Sequence, residues 1–120
     1  MMQLFYTLLF LTLFISSENV YQRGKASYYA QSMNGRHTAS GERFFSDSLT
    51  AAHARLPFGT RVKVRNLKND SIVVLRIIDR MSASSSRIID VSWAAAKKLN
   101  FVRDGITQVE LSIIDTTAQK

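Results

Sequence analysis

Few residues in this chain have side chains suited to chemistry, and three of them suggest one site. His53 stands in an otherwise small and apolar stretch, Leu49-Thr50-Ala51-Ala52-His53-Ala54, and Pro57 with Gly59 then turns the chain into the alternating run Val62-Lys63-Val64-Arg65. A proline-fixed turn just beyond an imidazole holds that ring in place. Two carboxylates flank it in sequence: Glu42, in Thr38-Ala39-Ser40-Gly41-Glu42, and Asp79, at the end of the apolar run from Ile72 to Ile78. One imidazole and two carboxylates can divide proton donation, proton acceptance and orientation among them. The expectation is that the three meet in one cleft, with Asp79 partly desolvated at a strand end and its pKa raised. Taken singly, each has a plainer reading: His53 as a satisfied core residue, Glu42 as surface, and Asp79 as the ion-pair partner of Arg80 or Arg76.

The elements that must position these residues are short. Lys25–Ala30 reads as a first strand, rich in small and aromatic residues. Residues 31–48 carry Asn34-Gly35, Ser40-Gly41 and Asp47 without sustained periodicity, the pattern of a long ordered loop with a functional role. Strands over Thr60–Asn66 and Ser71–Ile78 flank the polar turn Leu67-Lys68-Asn69-Asp70 and predict an antiparallel hairpin. The second of these strands is nearly continuous in apolar residues and is expected to be covered on both faces. Arg87–Val91 predicts a further strand, and Ser92 caps a short helix over Trp93–Leu99. Asp90 reads as a cap and turn anchor, and Trp93 as core. Asp104-Gly105 turns the chain into a last strand, Thr107–Ile114, in which Val109, Leu111 and Ile113 alternate with polar residues. About six short strands and one short helix in 120 residues predict a small β-barrel in one domain.

The first seventeen residues are set apart from this domain. Leu4–Ile15 is an unbroken apolar or hydroxyl run, too short to span a bilayer as a relaxed helix, and Ser16-Ser17 follows it with small residues. Residues 1–17 are therefore read as a signal peptide, with an uncleaved anchor or a buried N-terminal helix as the alternatives. Residues 18–23 are expected to be a disordered lead-in, 24–115 the barrel and 116–120 a frayed tail. The net charge of +7 falls entirely after residue 17. A basic exported domain suits an anionic polymer such as a cell wall, or the charge serves solubility alone. No cysteine is present, which excludes disulfides and lipid attachment at a Cys. Basic residues are scattered instead of interleaved with aromatics, so nucleic-acid binding is not expected. His37, His53, Glu42 and Asp79 lack metal-ligand spacing, and neither a metal nor another cofactor is predicted.

Several motifs in order resemble one known family. Gly24-Lys25-Ala26-Ser27-Tyr28-Tyr29, Thr38-Ala39-Ser40-Gly41-Glu42, Leu49-Thr50-Ala51-Ala52-His53, Leu56-Pro57-Phe58-Gly59-Thr60, Val64-Arg65-Asn66-Leu67, Asp79-Arg80 and Arg87-Ile88-Ile89-Asp90-Val91-Ser92 look like the rare lipoprotein A family of bacterial envelope proteins. The resemblance covers almost everything from Gly24 to Ile114. It implies a six-stranded double-psi β-barrel, shared with expansins and family-45 glycoside hydrolases. It also implies lytic transglycosylation of peptidoglycan, preferring glycan strands stripped of stem peptides, with the functional positions at Glu42, His53 and Asp79. Two departures stand out: Met81-Ser82-Ala83 replaces the family's usual Gly-Pro-Phe, and Ala30 stands where Gly is common. The loop beside Asp79 is thus expected to differ in shape.

On that resemblance, the β-1,4 bond between N-acetylmuramic acid and N-acetylglucosamine needs a protonated acid at the leaving oxygen. The muramic acid's own 6-hydroxyl replaces water, leaving 1,6-anhydro ends. Asp79 is the expected acid/base, with His53 and Glu42 assisting. Tyr28, Tyr29, Phe44 and Arg80 are the expected sugar-binding residues, by stacking or hydrogen bonding. A monomer is expected, exported to the periplasm or cell envelope, with no stable membrane insertion after leader cleavage. A different class of function, a non-catalytic expansin-like module that binds or loosens the wall, is the alternative.

Overall fold

The computed structural model describes residues 19–116, so the expected leader and residues 117–120 lie outside it. Six strands are present: β1 (Gln22–Tyr28), β2 (Thr50–His53), β3 (Arg61–Asn66), β4 (Ile72–Asp79), β5 (Arg87–Val91) and β6 (Thr107–Asp115). One short helix, α1 (Trp93–Lys98), joins β5 to β6. The strands close into a barrel in the order β1-β5-β2-β4-β3-β6. Closure leaves no free sheet edge to pair with another chain.

Period-two alternation decides which side chains fill the barrel. Val62 and Val64 of β3, Leu75 and Ile77 of β4, Ile89 and Val91 of β5, and Val109 and Leu111 of β6 point inward and are wholly or almost wholly buried. Burying one such side chain is worth about 1.5–3 kcal/mol. The β3–β4 hairpin forms as its turn chemistry predicts, with Asp70 at a φ of 64° in the tight turn. Covering of β4 on both faces is not found. Ile72 is 50% exposed and Val74 38%, whereas Ile78 at the other end of the strand is buried, because the 31–48 loop reaches only that end, where Ser40 bonds the Ile78 carbonyl and Glu42 pairs with Arg76.

The boundary of the lead-in also moves. Gln22 and Arg23, expected to precede the fold, pair with Leu111 and Glu110, since the nine-residue β6 offers an antiparallel edge that reaches past Gly24. Gly24 itself is a close-approach glycine, for a Cβ there would stand 2.7 Å from Cγ2 of Ile88. Helix α1 is capped by Ser92, whose hydroxyl accepts from the amide of Ala95. Its six residues bury Ala95 and Ala96, and Leu99 follows them into the core. Trp93 does not join that core. It sits on the flank of the helix with the Lys97 ammonium 4.6 Å above its ring, because a two-turn helix has only one face against the barrel.

A buried polar node ties α1 to the barrel. The side-chain amide of Asn66 donates to the Leu99 carbonyl at 2.7 Å, and its Oδ1 accepts from Thr107 Oγ1 at 2.8 Å and from the Lys68 amide at 3.0 Å.

Candidate active site

The site lies on the outer face of the barrel wall, where a second apolar cluster of Tyr29, Phe44 and Ala52 packs with Met33 and Met81. Register places four residues in one row across four strands. Ser27 of β1 pairs with Asp90 of β5, Asp90 with Ala52 of β2, and Ala52 with Asp79 of β4. A bulge between Ala51 and Ala52 is what brings Asp79 into that row. Ala52, between the two carboxylates, is 2% exposed and packs in the cluster with Tyr29 and Phe44.

Asp79 is held from three directions. The Tyr29 hydroxyl donates to Oδ2, while Oδ1 accepts from the amides of Ala39 at 2.8 Å and Arg80 at 2.9 Å. Tyr29 reaches it because the chain beyond β1 stays on β5, with the Tyr29 amide bonded to the Val91 carbonyl. Its ring stacks on Phe44 at 4.2 Å between centroids. Burial and the Asp79 carboxylate, followed by Asp90, push the Tyr29 phenol well above its ordinary pKa, so it stays protonated and donates. The loop over residues 31–48 is ordered, as its sequence suggests. The Ser40 amide bonds the Ile78 carbonyl, Asn34 Oδ1 accepts from the Ser46 amide, and Gly35 and Arg36 exchange bonds with Phe44. Gly41, at a φ of 93°, makes the turn that delivers the Ala39 amide to Asp79.

Neither Arg76 nor Arg80 turns its guanidinium to the Asp79 carboxylate, although Arg80 donates to the Asp79 backbone carbonyl at 3.5 Å. Arg76 makes a two-pronged ion pair with Glu42, at 2.5 and 2.9 Å. The Arg80 guanidinium lies 4.1 Å over the Phe58 ring and donates to the His53 carbonyl at 3.3 Å.

The three residues expected to meet are arranged differently. Glu42 stands half-exposed on the loop beside the groove, and Arg76 holds its carboxyl below the usual range. Alternation along β2 sends Ala52 to the groove and His53 to the opposite face, which Ala51 shares. There His53 is 2% exposed. Its Nδ1 accepts from the amides of Arg55 and Leu56 at 3.0 and 3.1 Å, which puts the proton on Nε2, bonded to Gln22 Oε1 at 2.8 Å. Burial, followed by the charges of Arg80 and Arg55, lowers its pKa to about 4. This imidazole is neutral and fully bonded, and it touches the site through its backbone link to Arg80.

The four expected sugar-binding residues divide likewise. Tyr29 lines the groove and Arg80 is exposed beside it. Tyr28 faces the barrel core, its hydroxyl bonded to the Val102 carbonyl at 2.8 Å and its ring set edge-on to Phe101. Phe44 is only 1% exposed, so its faces are taken up by packing.

Sequence reasoning missed Asp90. It is not a helix cap, a role Ser92 fills alone. Its Oδ1 accepts from Ser27 Oγ at 2.9 Å, and Ser27 in turn accepts from the Arg87 guanidinium. Desolvation raises the Asp90 pKa, and the Asp79 charge adds to it against the opposing pull of Ser27 and Arg87. The signal was present as a carboxylate between the inward-facing Ile89 and Val91, but its strand neighbours are distant in sequence. Among the described residues no group of three or more His, Cys, Asp or Glu gathers as a metal site. What the groove offers is two carboxylates in contrasting surroundings, the arrangement of acid–base chemistry.

A closed six-stranded barrel with this groove on its wall is a double-psi β-barrel domain. The chain belongs to the lytic transglycolase family, whose family model matches residues 21–111. It is 47% identical over 106 residues to a probable endolytic peptidoglycan transglycosylase RlpA of Treponema pallidum, covering 88% of this chain and 33% of that protein. Identity is 45% over 93 residues to the endolytic peptidoglycan transglycosylase RlpA of a Neisseria meningitidis serogroup A strain, covering 78% and 39%. The chain thus spans well under half the length of these curated relatives. Among solved structures, an apo expansin of Clavibacter michiganensis aligns with a TM-score of 0.63 at 18% identity, over 80% of this chain and 51% of that one. A Streptomyces papain inhibitor aligns at 0.59 and 19%, over 80% and 99%. At such identities the likeness establishes the fold alone.

Proposed function

We propose that this chain is an exported endolytic lytic transglycosylase. It would cleave the β-1,4 bond between N-acetylmuramic acid and N-acetylglucosamine in peptidoglycan, prefer strands lacking stem peptides and leave 1,6-anhydro ends. The observation that carries this reading is Asp79, gripped by Tyr29, Ala39 and Arg80 on the wall of the barrel, in a chain so similar to proteins named for that activity. A positioned carboxyl can exchange protons with a glycosidic oxygen and offset the charge of an oxocarbenium-like transition state.

In this reading Asp79 is the acid/base. Glu42, with Arg76, positions sugar hydroxyls at the edge of the groove, and Tyr29 and Arg80 border the bound glycan. His53 assists by holding the end of β2 and the Arg80 side chain, without moving a proton itself. Tyr28 and Phe44 support the groove from behind. The net charge of +7 draws the domain to an anionic wall, and it acts in the periplasm or envelope as a monomer.

Digestion of amidase-stripped peptidoglycan by the chain from Glu18, beside Asp79→Asn, tests this by mass spectrometry of the products. Anhydro-ended oligosaccharides from the wild type alone are expected. Reducing ends would make it a hydrolase. No release at all from a folded protein that still binds the wall would indicate an expansin-like module, the reading that the altered Met81-Ser82-Ala83 loop favours.

A further inference from the structure

With Asp79 alone as acid/base, one carboxyl must both give and take a proton, yet a second carboxylate, Asp90, lies across Ala52 from it in the same row. Two strand spacings separate their backbones, roughly 10 Å, and both side chains stand on the same face of the wall. Their settings differ. Asp79 accepts from three donors. Asp90 accepts one side-chain bond, on Oδ1 from Ser27, and among the described residues no side-chain hydrogen bond reaches Oδ2.

Resting on the transglycosylase reading, we propose that proton transfer is divided between the two carboxylates, with Asp90 as the donor to the leaving oxygen and Asp79 as the acceptor from the attacking hydroxyl. The bond from muramyl C1 to O4 of the departing N-acetylglucosamine breaks as the Asp90 proton passes to O4. The muramyl O6 then bonds to C1, and its proton passes to Asp79. One proton is given and one taken, and solvent exchange returns both groups to their starting states. The leaving oxygen and O6 occupy the same face of the sugar in turn, so two carboxyls on one protein face can serve both.

The surroundings support this order. Among the described residues, the charged or titratable groups bearing on Asp90 are Arg87 on its own strand, 4.0 Å away and relayed through Ser27 of β1, Asp79 on β4, and the Tyr29 phenol beyond β1. Burial and the Asp79 charge favour the protonated form of Asp90 and outweigh Ser27 and Arg87. A carboxyl held towards its protonated form beside one that accepts three hydrogen bonds is the pairing of an acid with a base.

The first test needs no variant. Carboxyl-carbon NMR titration of the wild-type chain should show Asp90 keeping its proton above the ordinary aspartate range, and an ordinary or lowered titration of Asp90 overturns the proposal. The second compares two substrates, the natural strand and an aryl muramyl glycoside whose phenolate departs without protonation. Folded Asp90→Asn should lose about 100-fold or more on the natural strand, keep most of its rate on the aryl glycoside, and lose the alkaline limb of its pH profile. Asp79→Asn should lose both substrates. Equal loss on both substrates in Asp90→Asn, or no loss on either, refutes the division of labour. Absence of anhydro products from the wild type would instead count against the transglycosylase reading, while the titration of Asp90 remains readable.

Discussion

The Tyr29 hydroxyl donates to Oδ2 of Asp79 while the Tyr29 ring stacks on Phe44, so one side chain joins the apolar floor of the groove to its carboxylate. A hydrogen bond to a charged group is worth about 1.5–3 kcal/mol. Tyr29→Phe keeps the stacked ring and removes only the donor. Glycan cleavage should therefore fall about 10- to 150-fold with the melting temperature nearly unchanged, as rate measurements beside thermal melts will show. A large loss of stability with an intact rate would mean that the bond serves the fold.

His53 makes stability depend on pH. Its ring takes up a proton near pH 6.5 when unfolded but only near pH 4 when folded. Between those values the unfolded state binds more protons, so stability is full above the upper value and falls as pH drops toward the lower. The loss should reach up to about 3 kcal/mol by the low end of the window. Urea melts across that range will show it, and His53→Gln should flatten the slope.

Glu42 and Arg76 form an ion pair with both side chains near half-exposed, at 46% and 40%. Exposed pairs contribute about 0–1 kcal/mol. Glu42→Gln should thus leave the denaturation midpoint almost unmoved while raising KM for glycan strands. A fall in stability without a change in KM would remove Glu42 from the site.

Asn66 is buried and bonds Leu99, Thr107 and Lys68 at once. Asn66→Ala takes the acceptor from the buried Thr107 hydroxyl and leaves a cavity, although the Leu99 carbonyl keeps Asn69 and Ser71 as donors, and should cost about 2–4 kcal/mol. Calorimetry should then find the melting temperature lower by roughly 10 °C or more.

Local patterning determined much of this protein. Alternation in Val62-Lys63-Val64-Arg65 and at Val109 and Leu111, the turn Leu67–Asp70 and the Ser92 cap each depend on neighbours a few residues away, and each is found where the sequence places it, whereas Ile113, expected to continue the alternation, is 39% exposed. Asp79 at a strand end was legible for the same reason. The strand Thr50–His53 was not, since four small or polar residues carry little β signal until β4 and β5 pair with them. Which face each side chain uses was decided by the tertiary structure. The bulge in the β2–β4 pairing and the parallel and antiparallel neighbours of β2 set Asp79 and Asp90 on either side of Ala52 and turn His53 away from them. A one-residue change of register reverses every such assignment. Register between strands far apart in sequence is settled only when the barrel closes and its interior is filled.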